Sequence, residues 1–300
     1  MPDPPGARLR RLLDRTEPLV LPGCADALTA RLAQGAGFEA VYATGAGIAN
    51  TLLGQPDVGL TTKTEVVAQV ERICEAVDLP VVADIDTGFG NAINARRAVR
   101  AFERAGVAAV QIEDQVFPKR CGHFAGTAVI GLDEMLGKLR AVLDARADAS
   151  VVVIARTDAL AVNGLDAAVD RALAFLGAGA DAIFVEGPVD RDQLAVLPQR
   201  IPAPLVANMV EGGRTPLLSA AELGAMGYRI VLFANTALRV AAAAVRDAFG
   251  ELRQTGDSTA LLDTMLSWDE RQALVGLAEI ESLERQYAPP ASAPAPSGGG

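Results

Sequence analysis

The stretch from Val151 to Glu186, VVVIARTDALAVNGLDAAVDRALAFLGAGADAIFVE, contains the unit that decides the fold. Two apolar runs, VVVIA and AIFVE, flank a helical pattern that extends from Leu165 to Ala178. Near-continuous apolar runs are typical of parallel strands that are covered on both faces. The GAGADA turn before the second run predicts a helix capped by glycine. This stretch therefore predicts a strand–helix–strand unit of a parallel sheet.

The same unit recurs on both sides of this stretch, and two similar turns, GAGFEA and AGVAA, also lead into strands. We predict strands at Leu19–Leu21, Ala40–Ala43, Val81–Asp84, Ala109–Glu113, Val151–Ala155, Ala182–Val185, Pro204–Asn208 and Ile230–Phe233. Helical patterns lie between them, as at Lys63–Ala76, Ala95–Ala105, Leu132–Ala147, Leu165–Ala178 and Ser219–Met226. Eight such units over about 230 residues favour an α/β fold of the (β/α)8 TIM-barrel type over an open, doubly wound sheet.

The pattern changes after Gly250. Leu274, Leu277, Ile280 and Leu283 recur at spacings of three and four, which predicts one apolar helical face. A barrel does not need this face, so we expect it to cover another subunit, with packing against its own barrel as the alternative. We therefore predict a catalytic barrel at 1–255, a helical extension for subunit packing at 256–288 and a disordered tail at 289–300.

Composition narrows the function. The 300 residues are 50% hydrophobic, yet no apolar run reaches the roughly 18 residues that a membrane span needs. The formal charge of −10 disfavours nucleic acid and anionic membranes as partners, but it allows a small anionic substrate held by local cations. The N-terminus has no signal-peptide core, and three widely separated cysteines argue against disulfides and a zinc site. We expect a cytoplasmic protein.

Polar side chains follow the predicted strands at the point where each strand ends. They are Thr44, Asp84, Asp86, Glu113, Arg156, Asp158, Glu186 and Asn208, and Arg239 lies early in the helix after the eighth strand. In a barrel these ends lie on one face, where active sites form. A single carboxylate there could be a helix cap or a structural ion pair, but six consecutive polar strand ends predict a site.

The carboxylates and the arginine suggest its chemistry. Asp84, Asp86 and Glu113 come from adjacent strands, and converging acids need a proton or a cation between them. Hard oxygen ligands without a dense oxygen cage favour Mg²⁺ (or Mn²⁺) over calcium or zinc. Arg156 can grip a carboxylate with two hydrogen bonds, and Thr44, Gly45 and Ala46 offer a hydroxyl and backbone N–H groups to another. The chain has neither a GxGxxG fingerprint nor a P-loop.

The loop after the fourth strand, QVFPKRCGHFAG, contains a candidate acid. Cys121 has Lys119, Arg120 and the only histidine, His123, within two residues. Positive neighbours favour a thiolate, so this thiol is suited to exchange a proton near neutral pH. The alternative is a structural cysteine in a solvated basic loop, but Cys121 lies in a polar loop and not in an apolar run. We also expect the loop Val116–Val129 to close over the substrate and exclude water.

IEDQ followed by KRCGH resembles the signature of the isocitrate lyase and phosphoenolpyruvate mutase superfamily, with similarity from about Pro18 to Leu266. The resemblance implies that Cys121 is the proton donor and that Asp84 and Asp86 ligate Mg²⁺ or Mn²⁺, partly through water. It implies a tetramer that exchanges a terminal helix between subunits. We assign Cys121, His123, Glu113 and Arg156 to catalysis and Asp84, Asp86 and Glu113 to the metal. To substrate binding we assign Tyr42, Thr44, Gly45, Ala46, Asp57, Lys119, Gly122, Arg156, Glu186, Asn208 and Arg239.

The reaction that follows is cleavage of a carbon–carbon bond in a 2-hydroxy di- or tricarboxylate, of the 2-methylisocitrate or 2,3-dimethylmalate type. A base removes the hydroxyl proton, and both Tyr42 and water are open for this role. The alternatives are a carboxyphosphonoenolpyruvate phosphonomutase, which ANMVEGGRTP also resembles, and an oxaloacetate decarboxylase. A barrel that only binds a ligand is a further possibility.

The tail predicts a substrate preference. In 2-methylisocitrate lyases a segment after the barrel contributes an arginine toward the extra carboxylate, and LDTMLSWDER is the similar stretch here. Trp268 falls at the place of that arginine, with Arg271 three residues later. Because Trp cannot pair with a carboxylate, we expect a smaller, more apolar substrate such as a 2,3-dialkylmalate. If the helix shifts by one turn, Arg271 takes the role instead.

Overall fold

The computed structural model describes residues 3–119 and 128–288 of the chain. Eight parallel strands, β1 to β8, close into a barrel in their order along the chain. They are β1 Leu19–Cys24, β2 Val41–Ala43, β3 Val81–Asp84, β4 Ala109–Glu113, β5 Val152–Thr157, β6 Ala182–Val185, β7 Leu205–Asn208 and β8 Ile230–Phe233. The predicted (β/α)8 barrel is confirmed, and β1 and β5 run slightly past the ends that the sequence indicated.

One helix precedes β1, at least one helix follows each strand, and the last two begin after residue 267. The helices are α1 Pro5–Leu13, α2 Ala27–Gly35, α3 Gly45–Leu53, α4 Lys63–Ala76, α5 Ala92–Arg104, α6 Leu132–Leu143, α7 Ala159–Asn163, α8 Leu165–Gly177, α9 Arg191–Arg200, α10 Ala220–Met226, α11 Thr236–Thr255, α12 Trp268–Leu274 and α13 Leu277–Tyr287, with a 3-10 helix at Thr259–Thr264. Glycines end several of them as predicted. Gly37, Gly106 and Gly179 have φ angles of 87°, 94° and 105°, a left-handed conformation that glycine adopts without a Cβ clash.

The strands separate two apolar layers. Side chains such as Val41, Ala83 and Val153 point outward and pack under the helices. Their neighbours in sequence, such as Tyr42 and Val82, point into the barrel, because successive residues of a strand face opposite sides. Leu9, Leu12 and Leu13 of α1 belong to the inner layer. Helix α1 therefore closes the end of the barrel where the strands begin, and the opposite end is left for the site.

The chain divides into two compact units, Met1–Asp247 and Ala248–Gly300. Helix α11 runs across this division and has no buried residue, and Val240 and Val245 on it are 66% and 50% exposed. The tail contains the predicted helical segments as α12 and α13, with apolar side chains such as Ile280 and Tyr287 exposed. In the described part of the chain no helix is both long and apolar enough to span a membrane. The predicted tail at 289–300 lies outside the described residues.

Candidate active site

A cavity opens where the barrel strands end. The following residues predicted for the site line it: Tyr42, Thr44, Ala46, Asp57, Asp84, Glu113, Lys119, Arg156, Glu186 and Asn208. These side chains come from six strand ends and two loops, and the barrel brings them together because all of its strands end on the same side. Most of the predicted polar strand ends therefore line one cavity, whereas Asp86 and Asp158 are not among its lining residues.

Two aspartates face the space above Gly45. Asp84 ends β3, and Asp86 follows in a turn whose φ of 48° at Asp86 is unusual for a residue other than glycine. The Asp86 amide donates to Asp84 Oδ1 at 3.0 Å. A Cβ added to Gly45 would lie 2.9 Å from Asp84 Oδ2 and 3.4 Å from Asp86 Oδ1. Both carboxylates therefore approach one space, which stays open because residue 45 has no side chain.

Asp84 and Glu113 line the cavity and are buried. Burial, helped by the charge of Asp86, raises the pKa of Asp84 to about 6. Burial also raises the pKa of Glu113 well above its usual range, although Arg156 opposes the rise. Among the described residues, no donor forms a hydrogen bond with Glu113 Oε1. A cation that joined this group would restore the ionised forms and satisfy that oxygen.

Lys119 supplies part of the positive charge. Its buried Nζ lies 2.6 Å from Asp57 and 2.8 Å from Asp86 Oδ1. Burial lowers the pKa of Lys119, but Asp86, Glu113 and Asp57 raise it by more, so the pKa lies well above its usual value. The side chain is therefore an ammonium that joins the loop of Asp57 to the turn of Asp86.

Arg156 is held by three carboxylates. The barrel register pairs it with Glu113 on one side and Phe184 on the other. Its Nε and NH2 groups each donate to Asp158 at 2.9 Å, and Glu113 and Glu186 lie 3.3 and 3.4 Å from it. The guanidinium also lies 4.9 Å from the centre of the Phe184 ring. These contacts fix the plane of a permanently charged group at the cavity wall.

A short chain of hydrogen bonds joins Tyr42 to the aspartates. The Tyr42 hydroxyl donates to Gln111 Oε1 at 2.6 Å, and Gln111 Nε2 donates to Asp84 Oδ1 at 3.3 Å. All three side chains are buried. Burial, with the charge of Asp84, raises the pKa of Tyr42 well above its usual value. Tyr42 is therefore a neutral phenol whose proton is already engaged.

Helix α3 begins at the cavity. Thr44 is its N-cap, and the Thr44 hydroxyl oxygen accepts from the Gly47 amide at 3.3 Å. The same oxygen lies 3.4 Å from Asn235 Oδ1. The first N–H groups of an α-helix have no partner within the helix. This arrangement fits the predicted anchoring of a carboxylate at Thr44, Gly45 and Ala46.

The predicted metal trio is only partly assembled. In residues 3–119 and 128–288, no group of three or more His, Cys, Asp or Glu side chains is arranged to hold a metal ion. The two aspartates that share the space above Gly45 nevertheless suit magnesium, which commonly takes one or two carboxylates and keeps several waters. Asp84 and Asp86 therefore fit the ion, and the unpartnered oxygen of Glu113 leaves that residue available as a third acid.

Other predicted residues are not among those that the structure shows lining the cavity. Cys121, Gly122 and His123 fall outside the described residues. Arg239 is exposed, contacts Glu211 and does not line the cavity. In the second unit the Arg271 guanidinium lies 4.3 Å from the centre of the Trp268 ring. The assignments of all these residues stay predictions.

The other two cysteines are of the structural kind. Cys24 and Cys74 are free, and burial raises the pKa of both thiols to about 12. Thiols in such surroundings stay protonated and are poor candidates for proton transfer. The environment of Cys24 and Cys74 contrasts with the basic sequence around Cys121.

Sequence reasoning missed part of the cavity wall. The residues it did not single out are Gln111, which bridges Tyr42 and Asp84, and the lining residues Phe184, Val210, Leu232, Ala234 and Asn235. Two of them carried a signal. Gln111 and Phe184 each lie two positions before a predicted site acid, Glu113 or Glu186, and a strand sends such residues to the same side. The remaining apolar side chains look like ordinary core in the sequence.

Known proteins are similar to the chain over nearly all of its length. Residues 9–253 match the phosphoenolpyruvate phosphomutase family. The 2,3-dimethylmalate lyase of Eubacterium barkeri is 46% identical over 94% of this chain and 98% of its own length. The 2-methylisocitrate lyase of Vibrio cholerae serotype O1 is 40% identical over 95% of both proteins.

Solved structures are similar to this chain as well. A crystal structure of 2,3-dimethylmalate lyase, described as a member of the PEP mutase/isocitrate lyase superfamily, superposes with a TM-score of 0.91 at 40% identity. It covers 97% of this chain and 98% of that protein. A phosphonopyruvate hydrolase solved with oxalate and Mg²⁺ has a TM-score of 0.86 at 31% identity, covering 95% and 99% of the two chains.

Proposed function

The chain belongs to the phosphoenolpyruvate mutase/isocitrate lyase superfamily, and from this premise we propose that it is a magnesium-dependent carbon–carbon lyase. Its substrate would be a 2-hydroxy di- or tricarboxylate of the 2,3-dimethylmalate or 2-methylisocitrate type. The products are a 2-oxo acid and a second carboxylate. The observation that carries the proposal is the pair Asp84 and Asp86 facing one open space at the end of the barrel.

Asp84 and Asp86 would hold the ion, with Glu113 beside them and Mn²⁺ as a substitute. When bound, the metal supplies Lewis-acid polarisation of the substrate hydroxyl and carboxylate and offsets negative charge on the 2-oxo product. Lys119 and Arg156 add fixed positive charge to the cavity wall. Their charges are shared with several acids, which leaves the site overall suited to bind both the cation and the anionic substrate.

The residues of the chain then have distinct tasks. Thr44 and the first amides of α3 bind one carboxylate, and Arg156 orients another. A base removes the hydroxyl proton, the bond between C2 and C3 breaks, and its electron pair passes to the departing carbon as the enolate of a carboxylate. Cys121 gives its thiol proton to that carbon. Because the Tyr42 proton is engaged with Gln111 and its pKa is raised, water is the better candidate for the base.

The test is a screen of 2-hydroxy di- and tricarboxylates with Mg²⁺, with detection of the 2-oxo acid released. We expect turnover that stops in excess chelator and returns with Mg²⁺ or Mn²⁺. Cys121→Ser should fold normally and lose at least about two orders of magnitude in turnover, since the serine hydroxyl is too weak an acid. Undiminished turnover of metal-stripped enzyme would refute the metal role, and full activity of the serine variant would refute the proton donor.

We further infer a preference for a dialkylmalate. Phe184, Val210 and Leu232 give the cavity an apolar wall. Trp268 occupies the place where an arginine is expected in 2-methylisocitrate lyases, and losing a charge-assisted pair costs about ten- to a hundredfold in binding.

The comparison is kcat/KM for 2,3-dimethylmalate and 2-methylisocitrate, in the parent and in Trp268→Arg. The substitution should improve the tricarboxylate selectively. A parent that already prefers the tricarboxylate, and loses this preference in Arg271→Ala, would assign the role to Arg271 instead.

A phosphonomutase is the second candidate, because ANMVEGGRTP at 207–216 and KRCGH both resemble the carboxyphosphonoenolpyruvate branch. That reaction moves a phosphorus group and requires no protonation of an enolate by Cys121. Turnover of carboxyphosphonoenolpyruvate with no cleavage of any 2-hydroxy acid would favour it. The lyase is preferred because two similar lyases are 46% and 40% identical to this chain, whereas a similar carboxyvinyl-carboxyphosphonate phosphorylmutase is 38% identical.

We also propose a cytoplasmic homotetramer in which terminal helices are exchanged. Support comes from α11, where Val240 and Val245 are exposed, and from an apolar cavity of about 510 Å³ lined in part by Val20, Phe38 and Phe233. A second copy would cover these surfaces and remove apolar area from water. Light scattering should give about four times the chain mass. A monodisperse monomer at micromolar concentration would contradict this assembly.

A further inference from the structure

Lys138 is a buried cation that the proposed mechanism does not use. The chain has 27 Lys and Arg residues, of which only three are lysines: Lys63, Lys119 and Lys138. Lys138 lies on α6, is 4% exposed and does not line the cavity. In the described part of the chain its Nζ makes one hydrogen bond, to the carbonyl oxygen of Thr87 at 3.2 Å, and no ion pair.

Such a group is costly where it lies. Burial lowers the pKa of Lys138, and Glu134 one turn earlier on α6 only partly opposes this. A buried ammonium with a single neutral acceptor is less favourable than an apolar side chain of similar size. Its neighbours on the same helix, Met135, Leu139 and Val142, are apolar and buried. A lysine among them calls for a role beyond filling the core.

The acceptor belongs to the most unusual backbone of the barrel. Asp86, Gly88, Phe89 and Gly90 have φ angles of 48°, 86°, 61° and 141°. Left-handed conformations at Asp86 and Phe89 are disfavoured by the Cβ atom and persist only when surrounding contacts impose them. Thr87, whose carbonyl receives the lysine, lies inside this turn and is 1% exposed.

Other contacts hold the turn on either side of Thr87, at Asp86 and at Gly88. The Gly88 amide donates to the Ile85 carbonyl at 2.9 Å, and the Glu113 amide donates to the Asp86 carbonyl at 2.9 Å. A Cβ at Gly88 would lie 2.7 Å from Ala95, so helix α5 presses closely on the turn. Lys138 is the described side chain that reaches the Thr87 carbonyl, from the neighbouring helix, α6.

We propose that Lys138 is a positioning residue that fixes the left-handed turn 86–90, and with it the aim of the Asp86 carboxylate, through its hydrogen bond to the Thr87 carbonyl. A compact ammonium on a four-carbon stem can enter this space, whereas the planar guanidinium used at most other basic positions is wider. The link to metal binding rests on the proposed function of Asp86. The anchoring of the turn itself does not.

The test separates these two parts. Amide hydrogen exchange of the segment 84–92 is measured on metal-free protein, and Mn²⁺ affinity is measured by calorimetry, for the parent, Lys138→Met, Lys138→Gln and the matched control Lys63→Met on α4. Methionine keeps most of the apolar stem and loses the donor, whereas glutamine keeps a neutral N–H donor. Melting temperatures and kcat at saturating metal accompany each variant.

We expect protected amides at 86–90 in the parent. In Lys138→Met the amide hydrogens of 86–90 should exchange at least about tenfold faster. This variant should bind Mn²⁺ about tenfold more weakly, with kcat at saturating metal within about threefold of the parent. Lys138→Gln should recover most of both losses, and Lys63→Met should match the parent.

Contrary results would overturn the anchoring of the turn, the role of the hydrogen bond or the proposed function. Rapid exchange at 86–90 in the parent would overturn the anchoring without any variant, and so would a folded Lys138→Met with parental exchange. Equal damage in the Met and Gln variants would assign the effect to charge and overturn the hydrogen-bond role. A parent that shows protection but binds no Mn²⁺ would support the anchoring and contradict the proposed function.

Discussion

Glu113 and Asp114 are adjacent in sequence, and both are buried, at 2% and 0% exposure, yet their surroundings differ. Glu113 ends β4 and lines the cavity, whereas Asp114 is not among the lining residues. Asp114 accepts from the Thr157 hydroxyl at 2.7 Å, from the Asp158 amide at 3.0 Å and from Arg171 Nε at 2.8 Å. Among the described residues, one oxygen of Glu113 receives no hydrogen bond.

Glu113 and Asp114 differ in whether the arginine that pairs with each is shared with other acids. Burial raises the pKa of both acids, and in both cases hydrogen bonds or cations oppose the rise. The ion pair of Arg171 in the described part of the chain is with Asp114 alone, whereas Arg156 divides its charge among three acids. A buried acid with its own cation is a structural element. One that shares its cation and keeps a free oxygen is able to bind something else.

Replacing Asp114 should give the largest effect on stability. Asp114→Asn leaves Arg171 without its anionic partner in a site where both side chains are mostly buried. Removing one partner of a buried pair costs about 3–5 kcal/mol, so the free energy of unfolding should fall by that amount. Urea unfolding followed by circular dichroism measures it. The folded variant should retain kcat within a few-fold, and a stable but inactive variant would place Asp114 in the catalytic group.

Glu113→Gln should show the reverse pattern. Glutamine keeps the shape but removes a charge that faces the cavity, and turnover should drop by about two orders of magnitude. Stability should be unchanged or higher, because glutamine replaces an acid whose charged form burial disfavours. Parallel kcat and melting-temperature measurements with Asp114→Asn give the matched comparison. A variant that unfolds like Asp114→Asn would erase the distinction between the two acids.

Asp84, another buried acid of the cavity, should make the stability of the protein depend on pH. In metal-free protein its pKa is about 6 instead of 3.8, so between these values the folded state holds more protons than the unfolded state. The contribution of Asp84 to stability therefore decreases as pH rises from about 4 to about 6. In excess chelator at pH 7, Asp84→Asn should be more stable than the parent by about 1–3 kcal/mol.

The check is the difference in unfolding free energy between Asp84→Asn and the parent as a function of pH, with and without Mg²⁺. The difference should vanish below about pH 4, where the parent carboxyl is protonated in both states. Saturating Mg²⁺ should stabilise the parent selectively, since an ion that binds only the folded state adds to its stability. A difference that grows toward low pH would contradict a raised pKa at Asp84.

Replacing Gln111, on β4, should have a smaller effect on activity than replacing Glu113. Gln111→Leu keeps the volume but leaves the buried Tyr42 hydroxyl without its acceptor and removes one of the two donors to Asp84 Oδ1. We expect about a tenfold fall in kcat/KM and a modest loss of stability, as for a buried hydrogen bond. Steady-state kinetics of Gln111→Leu beside Tyr42→Phe measures it. Unequal effects that add in the double variant would show that the two side chains act separately.

Much of the barrel could be predicted because its signals are local. Helix α4, Lys63–Ala76, coincides with the prediction, since Thr62 and Glu65 form a capping box at its start. The predicted helix from Leu132 ends four residues early, at Leu143. The amides of Ala147 and Asp148 bond instead to the carboxylate of Glu103. That contact joins residues 44 and 45 positions apart, which no local pattern reveals.

The candidate site likewise contains residues that the sequence predicted and residues that it did not. Asp84, Glu113 and Arg156 were found because charged groups at strand ends contrast with apolar runs. Asn235 and Val210 were missed because their types are common in loops and cores. Arg239 is exposed on α11, contacts Glu211 and is not among the residues that line the cavity, so its substrate-binding role stays a prediction. Closeness across the barrel is a property of the closed sheet and not of any one segment.

The bare position at Gly45 has a consequence for laboratory evolution. Gly45 is the first residue of α3, where alanine would favour the helix by about 0.5–1 kcal/mol, and its φ does not demand glycine. A methyl group there would nevertheless lie 2.9 Å from Asp84 Oδ2 and displace that carboxylate. A library screened for heat resistance would therefore enrich Gly45→Ala, whereas growth that depends on the enzyme would eliminate it. At this position, selection for the fold and selection for the chemistry favour opposite alleles.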